Sequence, residues 1–88
     1  MVYINIIMNS KKELLDNIGK IHTTELGVER IKRNLKLKTD DVVEYCQNIL
    51  KNKDYTVEKK GKNFYVKYKD ITFTINSSSF TIITAHRK

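Results

Sequence analysis

Eighty-eight residues, 40% of them apolar, suffice for one hydrophobic core and are too few for two, which leaves no room for a deep, enclosed active site. Seventeen Lys and Arg against ten Asp and Glu give a net charge of +7, unevenly placed: residues 1–44 hold eight basic against seven acidic side chains, and residues 45–88 hold nine against three. That field draws phosphate polymers or an acidic protein toward the second half, while the single cysteine excludes an internal disulfide and a multi-cysteine zinc site and fits a cytoplasmic protein.

The chain opens with Val2-Tyr3-Ile4-Asn5-Ile6-Ile7-Met8, which is too short to cross a bilayer and lacks the basic start and small-residue cleavage site of a signal peptide. Residues 1–9 read as an edge strand or an extension ahead of the domain. Ser10 and Glu13 form a capping-box pattern before Leu14, Leu15, Ile18 and Ile21, predicting a helix from about Lys11 to Ile21. Thr23 or Thr24 then caps a second helix with Leu26, Ile31 and Leu35 inward, helped by Val28, and with Arg30, Lys32 and Arg33 on its solvent face. After the connector Leu35 to Lys38, Thr39 or Asp40 caps a third helix to about Lys51, with Val42, Val43, Cys46, Ile49 and Leu50 as its apolar stripe. Cys46 within that stripe reads as a buried, inert thiol.

From Tyr55 onward the period changes to two. Tyr55 to Lys60 opens a sheet, Gly61-Lys62-Asn63 has turn chemistry, Phe64, Val66 and Tyr68 alternate with Tyr65, Lys67 and Lys69, and Ile71, Phe73 and Ile75 alternate with Thr72, Thr74 and Asn76. Lys69-Asp70 and Asn76 to Ser79 make the remaining turns before the last strand, Phe80 to Arg87. Helices over residues 10–51 followed by four strands over residues 55–86 imply one α+β domain, with about three N-terminal helices packed on one face of a four-stranded antiparallel β-meander. Parity in the last strand is ambiguous: if Phe80 and Ile82 point inward, unbroken alternation sends Thr84 and His86 inward as well.

The chain carries no phosphate-cradling Gly-rich loop, dinucleotide fingerprint or zinc spacing, and no cofactor or metal is expected. Its His, Lys, Arg, Tyr, Ser and Thr suit metal-independent RNA cleavage, in which the 2′-hydroxyl attacks the adjacent phosphate with one group taking a proton, another giving one, and cations stabilising the phosphorane. Histidine changes charge near neutral pH, which makes His86 a candidate acid or base, with His22 as the second such group if it reaches the sheet edge. Tyr65, Lys62, Lys67 and Arg87 could stabilise charge, and Thr84 lies two residues before His86. Asn63, Lys69, Arg30 and Arg33 complete the candidate nucleic-acid contacts. Each has a plainer reading: His86 as a solvated chain end, His22 as a capping residue, Tyr65 and the lysines as a wet sheet face with favourable cross-strand pairs.

His22-Thr23-Thr24-Glu25-Leu26-Gly27, Arg30-Ile31, Asn34-Leu35, Asp41-Val42-Val43, Cys46, then GKNFYV from Gly61 and ITFTINSSSFTIITAHRK from Ile71 resemble the small bacterial proteins of domain-of-unknown-function family 3781. The resemblance runs from about residue 10 to the end, with Phe64 where tryptophan and Phe80 where tyrosine would be expected. A weaker architectural similarity is to the toxin ribonucleases of the barnase, EndoU, colicin and RelE-like group, whose minimal domains place helices before a four-stranded antiparallel sheet and end in a strand like Ile83-Thr84-Ala85-His86; it implies a role for His86, Thr84 and the basic or aromatic positions near them. The expectation is an RNA-binding protein, with a toxin-type endoribonuclease as its enzymatic form. The alternative is a non-catalytic module, such as a phage or defence-associated inhibitor, docking on an acidic partner or antitoxin through its basic face and edge strand.

Overall fold

The computed structural model describes residues 10–88; the apolar opening, and with it the expectation of an edge strand there, lies outside the described residues. Helix α1 occupies residues 10–16. Ser10, expected as its cap, is itself helical and buried. The helix stops five residues earlier than expected because the Asn17 side chain donates to Glu13 O at 2.8 Å, and a 3₁₀ turn, Ile18–Lys20, follows. Leu14 and Ile21 are buried, whereas Leu15 is 41% exposed and off the stripe.

Helix α2, Glu25–Leu35, is capped by Thr24, whose Oγ1 accepts from Gly27 N at 3.0 Å. Ile31 and Leu35 enter the core, but Leu26 is 63% exposed and Gly27 takes the buried place in the first turn. Helix α3, Val42–Asn52, is capped by Asp41 rather than by Thr39 or Asp40: Asp41 Oδ1 accepts from Glu44 N, and Thr39 Oγ1 accepts from Asp41 N, both at 3.0 Å. Val42, Cys46, Ile49 and Leu50 are its buried residues.

Strands β1 (Thr56–Lys60), β2 (Asn63–Tyr68), β3 (Ile71–Asn76) and β4 (Ile82–Arg87) pair antiparallel in the order β1-β2-β3-β4, an α+β chain ending in a four-stranded meander. Gly61 turns the first hairpin at φ 59, and Lys69 turns the second at φ 53. In the third, Asn76 Oδ1 accepts from Ser78 N and Ser79 N, both at 2.9 Å, so one side chain organises the whole turn. Val57, Phe64, Val66, Ile71, Phe73, Ile75, Ile82 and Ala85 share one core cluster with Leu14, Ile31, Leu35, Cys46 and their helical neighbours.

A β-bulge resolves the parity of the last strand. Ile75 pairs with Ile82, but Thr74 pairs with Thr84, so the register shifts there and Ile83 is the additional residue. Ile82 and Ala85 are both buried, and Ile83 is 44% exposed. The inserted residue returns Thr84 and His86 to the open side although Phe80 and Ile82 point inward.

The two edges of the sheet differ. At β4, His22 forms a parallel bridge with Thr81, its N–H donating to Phe80 O at 3.2 Å and its carbonyl accepting from Ile82 N at 2.8 Å. Thr23 Oγ1 then donates to Ile82 O at 2.8 Å and Asn34 Nδ2 to Ala85 O at 3.1 Å, so residues before and within α2 occupy polar groups that an edge strand leaves bare. Gly27 is required by this seam, because a Cβ there would collide with Thr23 Oγ1. On the other side, no described strand pairs with the outer edge of β1, which carries Glu58, Lys59 and Lys60.

Gly27→Ala therefore lowers stability by about 1–3 kcal/mol, since Thr23 must abandon its bond to the β4 carbonyl. In a Thr23→Ala background the same substitution costs at least about 1 kcal/mol less, because the obstructing hydroxyl is gone. Urea unfolding of the four proteins in this double-mutant cycle measures the difference; equal costs in both backgrounds would show that the hydroxyl is not the obstacle.

Candidate nucleic-acid interface

The register places the outward side chains of the sheet in rows. One row runs Thr56, Lys67, Thr72, His86; the next Glu58, Tyr65, Thr74, Thr84; the third Lys60, Asn63, Asn76. The exposed or half-exposed state of all these residues agrees with an open face. With strands about 4.8 Å apart, His86 lies about 10 Å from Lys67 across Thr72, and Thr84 about 10 Å from Tyr65 across Thr74. Thr72 and Thr74 thus complete the arrangement between the residues singled out from sequence. The two-residue turn Lys69-Asp70 held the clue, since it forces Tyr68 opposite Ile71 and hence Lys67 opposite Thr72.

His86, Thr84, Tyr65, Lys67 and Asn63 share this face, and His22 does not join them. Its Nδ1 sits 2.8 Å from Lys20 O and its Nε2 3.0 Å from Thr81 Oγ1. Only a protonated Nδ1 can bond a carbonyl oxygen, so the neutral ring donates through Nδ1 and accepts the Thr81 hydroxyl proton at Nε2. With its proton given to His22, Thr81 Oγ1 accepts from Ser79 Oγ at 2.7 Å, and Ser79 Oγ lies 3.2 Å from Asn76 Oδ1. His22 is thus built into the β3–β4 turn, and five residues of strand from Thr81 to His86 put the two histidines about 15 Å apart, too far to serve one phosphate.

The cations divide likewise. Lys62 and Lys69 occupy the two turns at opposite ends of β2, the latter with Nζ 5.3 Å from the Tyr68 ring centre. Lys60 pairs with Glu58 of its own strand at 3.3 Å. Arg87 pairs with Ile71 on the core side of the register, donates to Leu35 O at 3.0 Å and meets Asp70 at 3.5 Å, which commits it to joining β4, α2 and the β2–β3 turn. Arg30 and Arg33 are exposed on α2 and make no ion pair with a described residue.

A family model described as a protein of unknown function (DUF3781) matches residues 15–86. The chain belongs to the DUF3781 family. No curated protein and no solved structure matches it, and the comparisons give no support to the expected likeness to toxin ribonucleases. Several of the residues behind the resemblance to DUF3781 explain themselves structurally: His22, Thr23, Thr24, Gly27 and Asn34 build the seam between α2 and β4.

Two further features of this DUF3781 chain are set apart from the open face. Cys46 is fully buried and burial pushes its thiol up to about 12, which keeps it protonated at neutral pH. A shallow groove lined by Thr39, Asp41, Glu44, Tyr45 and Asn48 follows the start of α3; its Tyr45 ring lies 6.4 Å from that of Phe73, a core residue, so the groove belongs to the other side of the sheet. Its two carboxylates repel phosphate. Among the described residues no group of three or more His, Cys, Asp or Glu side chains converges as a metal site, and no helix is long and apolar enough to cross a membrane.

Cys46 reacts with an aromatic disulfide reagent at pH 8 about a thousandfold more slowly in the native protein than in urea, because both exposure and ionisation require opening of the core. Absorbance of the released thiolate follows the reaction; equal rates in the two conditions would place the thiol at the surface.

Proposed function

We propose that the protein binds single-stranded RNA on the open face of its sheet, with all three helices on the opposite face and the cytoplasm as its compartment. What carries the reading is the juxtaposition of Tyr65, Lys67, Asn63, Thr72, Thr74, Thr84 and His86, all exposed or half-exposed, on one face of the antiparallel sheet. An aromatic ring amid hydroxyls, an amide and cations offers a stacking surface for an unpaired base, hydrogen bonds for sugar and base edges, and charge for phosphate. A duplex would meet this surface less well, since its bases are already stacked.

Cleavage makes a further demand, two proton-transfer groups at one phosphate. With His22 held at the far end of β4, the nearest titratable groups to His86 on this face among the described residues are Lys67, about 10 Å away in the same row, and Tyr65, one row up and about 12 Å away by strand spacing and rise, so none shares a hydrogen-bonding distance with it. The geometry therefore favours binding over toxin-type ribonuclease activity. Docking on an acidic protein partner or antitoxin is the competing use of the same charge, for which the outer edge of β1, with which no described strand pairs, is the specific observation.

Gel retention of labelled single-stranded RNA, single-stranded DNA and duplex DNA tests this reading, with intact and cleaved RNA resolved in the same lanes. The expected result is retention of single-stranded RNA at low salt with a log–log salt slope of about −2, for roughly three phosphate contacts. Lys67→Ala weakens binding about three- to fivefold and reduces the slope by about 0.7; Tyr65→Ala weakens it at all salt concentrations with the slope unchanged. Cleavage lost in His86→Ala would restore the ribonuclease reading, and no retention of any nucleic acid would leave protein docking as the use of the face.

A further inference from the structure

The bulge in β4 exposes an apolar side chain at one edge of the open face, and α2 supplies the rest of a ledge there. Thr23 bonds Ile82 O and Asn34 bonds Ala85 O, so these two contacts bracket Ile83 and Thr84 along the strand. Arg30 lies three residues after Gly27 and four before Asn34, in the helical row that faces the β4 edge and level with the bulge. Ile31, turned 100° from Arg30 around the helix, is in the core. Arg30 consequently flanks the edge on the side away from the core, where the open face ends. Leu26, one turn earlier, continues the same flank. Leu26 at 63% and Ile83 at 44% exposure are two of the three large exposed apolar residues among those described, and Arg30 makes no ion pair with a described residue.

We propose that Ile83, Leu26 and Arg30 form a second nucleotide subsite, one that receives an unpaired base of the single-stranded RNA bound to the sheet face, and that Arg30 takes the adjoining phosphate. This inference rests on the RNA-binding reading above. The occupant follows from the composition of the ledge: an apolar surface with one unneutralised guanidinium matches the flat face of a base joined to an anion. Thr84, between the ledge and Tyr65, carries the hydroxyl that links the subsite to the sheet. The binding surface is thereby extended past β4 onto the helix.

The test compares Leu26→Ser, Ile83→Ser and Arg30→Ala with wild type by fluorescence anisotropy, using labelled oligouridine and oligoadenosine of twelve nucleotides at several salt concentrations. Thermal melts of each variant verify folding, and Leu26→Ser, at an exposed position, keeps the test usable if Ile83→Ser loosens the bulge. Leu26→Ser and Ile83→Ser weaken binding about three- to tenfold with the salt slope unchanged, and Arg30→Ala lowers both affinity and slope. Wild-type binding that persists undiminished in all three folded variants overturns the ledge and leaves the sheet-face reading standing. Failure of the wild type itself to bind overturns both.

Discussion

The outer edge of β4 is the constraint on which the arrangement depends. An edge strand presents backbone donors and acceptors that must find partners or remain in water, and a chain of this size has few elements with which to cover them. Here the cover is assembled from the short link before α2 and from α2 itself. His22 adds backbone pairing, Thr23 and Asn34 supply side-chain donors, and Gly27 permits the close approach that Thr23 needs. These contacts join residues more than fifty positions apart, so they depend on tertiary structure and not on local sequence. Helix α2 is therefore placed by polar groups at the strand edge as much as by Ile31 and Leu35 in the core.

The bulge is the complement of that edge. Ile82 points inward beside Ile75, and Ala85 points inward beside Phe73, its carbonyl accepting from Asn34. Three steps of simple alternation would have set these two residues on opposite faces. One added residue reconciles them, with a side effect: Thr84 and His86 turn to the open face, and Ile83 is pushed to the surface. A packing requirement of the core thus determines which chemistry the other face presents.

How much of this was legible in the sequence follows from which rules were local. The caps at Thr24 and the turn at Gly61 depend on neighbouring residues, and strands β2 and β3 alternate without interruption, so their faces could be read directly. The last strand could not, because periodicity assumes that no residue is inserted and nothing in Phe80 to His86 marks the insertion. Leu26 misled for a different reason: an amphipathic pattern assigns inward positions to apolar side chains, whereas at this seam the contact position is taken by the residue without a side chain. Ser10 and Asp41 mark the limit of cap reading, since several adjacent Ser, Thr and Asp residues satisfy the same local rule and tertiary context selects among them. On the candidate site, Tyr65 and Lys67 could be grouped by parity and register, but placing Thr84 and His86 beside them needed the bulge, and the exclusion of His22 needed the bridge to Thr81, fifty-nine residues away.

Charge counted along a chain is also different from charge offered by a surface. The second half holds an excess of six cations, yet Arg87 is spent on Asp70 and a helical carbonyl, Lys60 on Glu58, and Lys59 lies at 4.0 Å from Glu13 and 5.5 Å from the centre of the Phe64 ring. Exposed pairs of this kind contribute little to stability, but each lowers the field felt by an approaching polyanion. What remains around the open face is Lys67 within it and Lys62 and Lys69 at its ends, joined from the nearly neutral first half by Arg30 and Arg33. The basic character of the surface is therefore shared between the helical and sheet parts of the chain. A ligand steered by it would be held across the seam, where both parts contribute, rather than on the strands alone.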